Sequence, residues 1–294
     1  MPAGITASGT LADSLPSVIA DARIVREYEG TWMRTCDVRK LKEGTGTGWL
    51  EVSLSALEAQ DITETTDNQN SQQYVDTLLT LTPQMTQIMV KITDRTYRKI
   101  ADVVESKMGS LAGNAMARKK DEDYLALFAS MGTGASPGTG NALSFGHIAA
   151  AANRVMSNVT EPANSSIFTV LHGFQTYDIQ SEITAGVGTY VLPAGMTEEV
   201  FRKGFRGMIA DSNLFTDGNI IVDATPDANG ATHAKEGVIC VVGMALKHET
   251  RRDPAYGGGA DELFITDEYV FGERHPTANV WTFRHFSDAT APTN

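Results

Sequence analysis

A long proline-free segment constrains the fold of this chain more than any other feature of its sequence. Pro83 and Pro137 bracket 53 residues without proline, and apolar residues within them recur at steps of three and four, which is typical of one helix face. These apolar residues are Tyr97, Ile100, Val104, Met108, Leu111 and Ala115. The pattern predicts a helix over residues 93–128, which would be roughly 54 Å long at ~1.5 Å per residue. Gly109 and Gly113 predict a bend or a weak point within it.

Two strand patterns separated by a polar segment precede this helix. Alternating apolar and polar residues over 49–56 and the β-type composition of residues 74–81 predict two strands. Residues 60–73 between them are almost wholly polar. The sequence therefore predicts a protruding β-hairpin, whose middle has too little apolar material for a core of its own and which rests on another surface.

The predicted hairpin and the predicted helix carry opposite charge. Residues 44–90 contain no basic residue and six acidic ones, whereas residues 91–120 contain eight basic and three acidic residues. Charge runs most often mark solvated surfaces, and that interpretation stays open. The sharper hypothesis is that an acidic arm docks on a basic surface of a neighbouring copy.

The rest of the chain mixes helices and strands without a regular alternation. Helices are predicted over residues 14–29, on an N-terminal arm, and over residues 145–158 and 173–183, with a glycine-rich connector over residues 131–140. Strands are predicted over residues 167–171, 219–223, 238–246, 262–266, 269–272 and 278–284. This mixture favours the α+β class over a doubly wound parallel sheet.

Composition excludes several classes of protein. The chain has 294 residues, enough for one large domain or two modest ones, and its formal net charge of −12 argues against binding nucleic acid over the whole surface. Residues 238–246, the longest nearly unbroken apolar stretch, are far too few to span a membrane, and the N-terminal residues do not form a secretory signal. Two distant cysteines, Cys36 and Cys240, are typical of a reduced cytoplasmic environment.

The common sequence motifs of catalysis are missing. There is no P-loop, no G-x-G-x-x-G, no H-E-x-x-H and no C-x-x-C. The six histidines, scattered without metal-ligand spacing, are His147, His172, His233, His248, His275 and His285. The sequence therefore predicts no catalytic, cofactor-binding or metal-binding residues, and a protein that is not an enzyme.

Taken in order, these features resemble the major capsid proteins of tailed bacteriophages with the HK-97-type fold. Residues 81–95, LTPQMTQIMVKITDR, look like that family's passage from extended loop into spine helix. Residues 117–128, ARKKDEDYLALF, are similar to the end of the spine helix. Residues 168–174, FTVLHGF, resemble a strand of the A-domain, and residues 273–283 resemble the closing strands of the P-domain. The order of the motifs carries the resemblance more than any one of them.

The resemblance implies an α+β, HK-97-type capsid fold. Its parts would be an N-terminal arm, an extended β-hairpin loop (E-loop), a P-domain with a long spine helix, and an A-domain. The implied segments are 1–36 for the arm, 37–90 for the E-loop, 91–137 and 246–294 for the P-domain, and 138–245 for the A-domain.

The resemblance also implies a function. A major capsid protein of a tailed double-stranded DNA phage self-assembles into hexamers and pentamers of an icosahedral shell that encloses the genome. Its partners would be copies of itself, separate scaffolding, decoration and portal proteins, and packaged double-stranded DNA bound without sequence specificity, with no membrane. It would lie in the virion capsid after assembly in the host cytoplasm. Two alternatives remain open: an encapsulin-type bacterial nanocompartment shell, which shares the fold, and an enzyme of unrecognised type.

The implied contact between subunits places the E-loop across the P-domain of a neighbour. Some family members cross-link subunits through a loop lysine, and residues 44–90 contain no lysine, so noncovalent contacts are expected here. We hypothesise that acidic loop residues meet basic residues of the adjacent subunit. The acidic candidates are Glu51, Glu58, Asp61, Glu64 and Asp67, and the basic ones are Arg95, Arg98, Lys99, Lys107, Arg118, Lys119 and Lys120.

Overall fold

Two β-sheets and five helices make up most of the described part of the chain. The structure is a computed structural model, and it describes residues 5–6, 30–44, 46–65, 71–99, 102–132, 136–186, 207–256, 258–275 and 280–292. The helix predicted over residues 14–29 lies outside these residues. The mixture of helices with largely antiparallel strands confirms the α+β class.

The first sheet has five strands, in the order β1-β5-β12-β11-β2. The strands are β1 (Ile5–Thr6), β2 (Asp37–Lys40), β5 (Gln84–Thr93), β11 (Val238–Asp253) and β12 (Ala260–Glu273). Strands β11 and β12 form a long antiparallel hairpin, with irregular register near Met244. The predicted strand at residues 238–246 is confirmed and runs seven residues further, while the two strands predicted within residues 262–272 are one continuous strand.

A helical segment follows β5 and packs on this first sheet. Helix α1 (Trp32–Thr35) lies before β2; α2 (Asp94–Tyr97) and α3 (Asp102–Ala126) follow β5, and a 3₁₀ turn over Leu127–Ala129 ends the segment. Thr93 caps α2, because its hydroxyl accepts a hydrogen bond from the Thr96 N–H. The predicted helix is thus confirmed over most of its length, with a turn at residues 98–99 after α2. The expected weak point at Gly109 and Gly113 does not interrupt α3.

The second sheet has six strands, in the order β6-β13-β10-β7-β9-β8. The strands are β6 (Ser136–Pro137), β7 (Ile167–Leu171), β8 (Met208–Ile209), β9 (Ser212–Thr216), β10 (Asp227–Ala234) and β13 (Thr282–Asp288). The predicted helices are present as α4 (Phe145–Met156) and α5 (Gly173–Gly186). The strand predicted over residues 278–284 begins at Thr282 instead and runs to Asp288.

The strand predicted over residues 219–223 is wrong. That segment is a turn with a single bridge between Val222 and Ala228. The side chain of Asp217 accepts the Asn219 N–H and that of Asp223 accepts the Thr225 N–H, both at 2.9 Å. These bonds from aspartate to the backbone two residues on replace the ladder hydrogen bonds that a strand needs.

The hairpin predicted from the alternation of residues 49–56 is present. It consists of β3 (Trp49–Leu54) and β4 (Asp76–Leu81), paired antiparallel from Trp49 opposite Leu81 to Leu54 opposite Asp76. We call residues 49–81 the hairpin, and the two sheets with helices α1 to α5 the body.

Sheet membership does not follow the segments implied by the resemblance. Strand β2 lies within the segment expected to be E-loop, yet it pairs with β11 in the first sheet. Strand β13 lies within a segment expected to be P-domain, yet it pairs with β10 and β6 in the second sheet. The domain boundaries therefore stay a prediction.

The main core of the body lies where the end of α3 meets both sheets. Tyr124 and Phe128 are fully buried and pack edge to face at 4.9 Å between ring centroids. The Tyr124 hydroxyl lies 2.9 Å from the Thr35 hydroxyl and 2.7 Å from His233 Nε2, so its polar end is satisfied inside the core. Because α3 carries residues that contact both sheets, this cluster joins them into one body.

Candidate inter-subunit interface

The two faces of the hairpin differ in what they contact. Side chains alternate across a strand, so Trp49, Glu51 and Leu81 share one face, while Leu50 and Val52 point to the other. On the first face, Leu81 packs on the backbone at Gly272 in β12 and Glu51 reaches Arg274. This face is the underside by which the hairpin rests on its own body.

The other face of the hairpin is apolar and exposed. Leu50, Val52 and Leu54 of β3 are 64%, 56% and 66% exposed, and Leu78, opposite Val52 in β4, is 58% exposed. Further exposed apolar side chains lie beyond the paired strands at Leu57, Ile62, Tyr74 and Val75. Contiguous exposed apolar surface of this kind marks sites that bind another surface. Sequence reasoning identified the alternation but not which face the chain leaves uncovered.

The root of the hairpin encloses a crevice of about 240 Å³. Its walls include Glu51, Leu79 and Ser53 on the hairpin, and Arg274 and Trp281 on the body. Glu51 lies 2.9 Å from Arg274 Nε and also accepts a hydrogen bond from Trp49 Nε1. Of the acidic candidates, Glu51 is therefore engaged within its own chain.

The remaining acidic candidates lie toward the tip. Glu58, Asp61 and Glu64 are exposed, and the backbone N–H of Glu58 is bound to the Gln72 side chain across the hairpin. Asp67 lies outside the described residues. The structure thus leaves three of the five acidic candidates facing solvent on the hairpin.

The basic candidates differ in whether they pair with an acid of their own chain. Arg95, Arg98 and Lys99 are exposed around α2. Arg118 and Lys119 each bind an acid one turn further along α3, as the pairs Arg118–Glu122 and Lys119–Asp123. The side chain of Lys107 lies outside the described part.

Lys120 forms an ion pair within its own chain. It is nearly buried, pairs with Asp267 at 2.5 Å, and lies 4.9 Å from the ring centroid of Tyr269. Asp267 is itself buried, so removing the lysine would leave an unpaired carboxylate in the body. The structure brings none of the described acidic candidates against a basic candidate within one chain, so contacts between the two sets would have to come from neighbouring copies.

Asp121 and Asp217 form a buried carboxyl pair in the body, next to Thr31, which precedes α1. Asp121 accepts hydrogen bonds from the Thr31 N–H at 3.0 Å and from Asn219 Nδ2 at 2.9 Å, and Asp217 accepts one from the Thr31 hydroxyl. Burial raises the pKa of Asp217 to about 7; the neighbouring Asp121 adds to the rise, while the Asn219 N–H opposes it. The pair connects Thr31, α3 and the turn after β9, so its role is structural.

The buried histidines and cysteines lack the character of reactive groups. Burial lowers the pKa of His233 to about 4 and that of His285 to about 3, so both are neutral and packed. Burial raises the pKa of the Cys240 thiol to about 12, and both cysteines are free and buried. Among the residues that the structure describes, no three potential metal ligands cluster.

The helices give no sign of a membrane span. None in the described ranges combines the required length with sufficient apolar character.

Comparison with known proteins shows likeness in structure but not in sequence. No protein-family model and no curated protein matches the chain. A chain from Mycobacterium phage Che8 superposes with a TM-score of 0.72 at 15% identity, covering 94% of this chain and 98% of its own. The head structure of Helicobacter pylori bacteriophage KHP40 superposes with a TM-score of 0.71 at 10% identity, covering 97% and 98%.

A third match is the capsid structure of the cyanophage P-SCSP1u, with a TM-score of 0.68 at 13% identity over 95% of this chain and 94% of that chain. At these identities the likeness concerns the fold, and it extends over nearly the whole length of every chain compared. The chain therefore has the fold of phage capsid chains, as its resemblance to the HK-97-type family predicted.

Proposed function

We propose that this chain is a major capsid protein of a tailed double-stranded DNA phage. The observation that carries the proposal is the full-length structural match to chains from phage heads and capsids. The exposed apolar face of the hairpin supports it, because a shell subunit needs a surface that only a neighbour covers. Function follows from assembly, with copies of the chain building hexamers and pentamers of a closed icosahedral shell.

The hairpin serves as the E-loop and lies across the P-domain of a neighbouring subunit. Leu50, Val52, Leu54 and Leu78 supply the apolar part of the contact, at about 25 cal/mol per Å² of apolar area removed from water. The exposed acids Glu58, Asp61 and Glu64 then meet basic side chains of that neighbour. Single exposed ion pairs contribute only ~0–1 kcal/mol, so their role is to select the register of an apolar contact.

The exposed basic residues around α2 are the best partners for these acids. Arg95, Arg98 and Lys99 are exposed, whereas Arg118, Lys119 and Lys120 already hold acids of their own chain. Lys107 and Asp67 remain candidates from the sequence. The contact is noncovalent, in keeping with the absence of lysine from residues 44–90.

The A-domain, residues 138–245, would lie near the axes of the capsomers, and the P-domain, residues 91–137 and 246–294, would tile the shell between them. The net charge of −12 suits a wall that encloses DNA without binding it tightly, because like charges repel. Separate scaffolding, decoration and portal proteins complete the particle, which assembles in the host cytoplasm. The chain has no role as an enzyme in this proposal.

Negative-stain microscopy of the purified recombinant protein tests the proposal. We expect icosahedral shells or free hexamers and pentamers, and a monodisperse monomer at every concentration and salt would contradict it. Shells that co-purify with a cargo enzyme and without DNA in infected or expressing cells would favour the nanocompartment alternative.

Charge reversal tests the register contact separately. The pair Arg98→Glu with Lys99→Glu should lower shell yield and weaken its dependence on salt, because attraction across the interface is lost. Lys235→Glu, at an exposed lysine after β10, is the matched control and should leave both unchanged. Equal yield and equal salt dependence in the paired variant would exclude these residues from the contact.

A further inference from the structure

Arg274 lies at the junction between the hairpin and the body and binds both. It follows β12 directly and is only 13% exposed at its side chain. Its Nη2 donates to Asp37 of β2 at 2.7 Å, and its Nη1 donates to the carbonyl of Glu236 at 3.1 Å. Its Nε lies 2.9 Å from the Glu51 carboxylate of the hairpin. One guanidinium therefore joins two parts of the body to the base of the hairpin.

The contacts on the two sides of Arg274 differ in kind. The bonds to Asp37 and to the Glu236 carbonyl meet hydrogen-bond geometry, whereas Nε faces Glu51 as an ion pair without hydrogen-bond alignment. Burial alone would raise the pKa of Asp37, yet the hydrogen bonds from Arg274 and Arg39 hold that pKa below its ordinary value. Arg274 would thus keep two directed partners in the body if Glu51 moved away, so the contact with the hairpin is the one that can open.

A second contact places the other strand of the hairpin. Leu81, at the end of β4, packs so closely on Gly272 that a Cβ there would lie 2.6 Å from Leu81 Cδ2. Glu51 and Leu81 therefore seat both strands at the root. The hydrogen bonds recorded farther out, such as those between Ser55 and Val75, join the two sides of the hairpin to each other.

We infer that Arg274 is a positioning residue for assembly: its ion pair with Glu51 is an openable latch that sets the angle at which the hairpin leaves the body. With the latch closed, the underside of the hairpin faces the body across the crevice, and the side chains of Leu50, Val52 and Leu54 stay more than half exposed. With the latch open, the hairpin pivots on Leu81, while Arg274 stays bound to Asp37. The ion pair and the angle it sets do not depend on the proposed function. The inference rests on the proposed function only in assigning that angle to docking on a neighbouring subunit.

Hydrogen–deuterium exchange of the unassembled chain tests the latch. Glu51→Gln keeps an acceptor for Trp49 Nε1 and removes the charge that attracts Arg274. A two-stranded hairpin is only marginally stable by itself, so loss of this support should let β3 and β4 separate more often, and we expect exchange in residues 49–54 and 76–81 to rise about five-fold. The thermal midpoint of the body should stay the same. Asp37→Asn is the matched control, because it removes the other carboxylate of Arg274 without touching the hairpin, and it should leave exchange in the hairpin unchanged.

The dependence of hairpin exchange on salt concentration is a second test, because a merely structural role of Glu51 would not produce such a dependence. In the unmodified chain, exchange in the hairpin should rise with added sodium chloride, because the ion pair is only partly buried and is screened. In Glu51→Gln that dependence should disappear. Hairpin exchange that is the same in Glu51→Gln and the unmodified chain, or that rises equally in Asp37→Asn, would overturn the latch.

Microscopy of the same variants separates the latch from the proposed function. We expect Glu51→Gln to form shells at lower yield and with a broader range of diameters. If neither the variants nor the unmodified chain form shells, the proposed function is wrong. The exchange result still shows whether the latch exists. If shells form normally and hairpin exchange does not change, the latch fails and the proposed function stands.

Discussion

The strands of the body and of the hairpin both contain many apolar residues, but they differ in how deeply those residues are buried. In the body, Val238 to Val241 of β11 are fully buried, and the polar ends of Tyr124 and His233 are paired inside the core. In the hairpin, the leucines and the valine of β3 are more than half exposed. The body therefore has a core of its own, whereas the described part of the hairpin meets the body near its root and leaves apolar surface exposed.

This difference matters for the proposed function, because a shell subunit has to fold before it assembles. A hairpin without a core of its own does not add to the body's stability, so changes in its outer face should affect assembly while leaving folding intact. Changes in the body should do the reverse. Four variants, most of them with a control substitution, are given in order of decreasing effect on the free energy of unfolding.

Phe128→Ala should have the largest effect. The ring is fully buried against Tyr124 and near His233, so its loss should lower the free energy of unfolding by about 3–5 kcal/mol. Chemical denaturation of the unassembled chain measures this loss. Leu50→Ala in the hairpin removes an exposed side chain instead and should cost less than about 0.5 kcal/mol. Similar losses for the two variants would contradict the division.

Asp217 should make the stability of the body depend on pH. Its pKa in the folded chain is raised from 3.8 to about 7, so its contribution is fully present below about pH 4 and is lost as the pH rises to about 7. Three pKa units correspond to about 4 kcal/mol and solvent screening reduces this, so we expect a loss of about 2–4 kcal/mol across that window, which Asp217→Asn should abolish. Denaturation curves between pH 4 and pH 8 measure the slope.

Asp223→Asn is the control of opposite sign. Hydrogen bonds from the Asp227 N–H and the Thr225 hydroxyl lower the pKa of Asp223, so its contribution is present above about pH 4 and is lost as the pH falls further. Its replacement should leave the slope between pH 4 and pH 7 unchanged. If Asp217→Asn also leaves that slope unchanged, Asp217 is not the source of the pH dependence.

Gly272→Ala should have a smaller effect that is concentrated at the hairpin root. The added methyl group would collide with Leu81, so we expect a loss of about 1 kcal/mol and faster proteolysis of the hairpin. Gly113→Ala in α3 meets nothing within 4 Å and should stabilise the chain by up to about 1 kcal/mol. Limited proteolysis with mass spectrometry locates the cuts, and cuts confined to the body would be the contrary result.

Replacing Leu50 and Val52 by serine should affect unfolding least and assembly most. Both side chains are exposed in the single chain, so the free energy of unfolding should change by less than about 0.5 kcal/mol. Shell yield measured by sedimentation should fall sharply, because the apolar contact with a neighbour is lost. Wild-type yield from this double variant would show that the face is not an interface.

The elements that follow from local sequence were predictable. The helix over α2 and α3 follows from periodic apolar residues and the Thr93 cap, and the hairpin follows from alternation on both sides of a polar segment. The turn at residues 219–223 was missed because its apolar letters resemble a strand, while the hydrogen bonds of Asp217 and Asp223 decide the backbone. The pairing of β13 with β6 and β10 could not be predicted, because it joins segments far apart in the chain.

The candidate interface stays a prediction, and the sequence did not indicate which of its charges are already paired within the chain. The charge pattern indicated the hairpin and the region of α2 and α3, yet Lys120 is nearly buried and paired with Asp267, and Glu51 is paired with Arg274. Arg274 was not identified from the sequence at all, because Asp37, Glu51 and Arg274 meet only after β2, β3 and β12 are folded together.

The sequence by itself determined where this chain forms its long helix, its exposed hairpin and most of its strands, since those depend on periodicities within a few residues. It also determined the opposite charges of the two neighbouring segments. Only the tertiary structure decided which of those charged residues form ion pairs within the chain and which apolar face of the hairpin stays exposed. The physical reason is that burial and ion pairing depend on segments distant in sequence, and the strand period of two places Leu50 and Glu51 on opposite faces without stating which face meets the body.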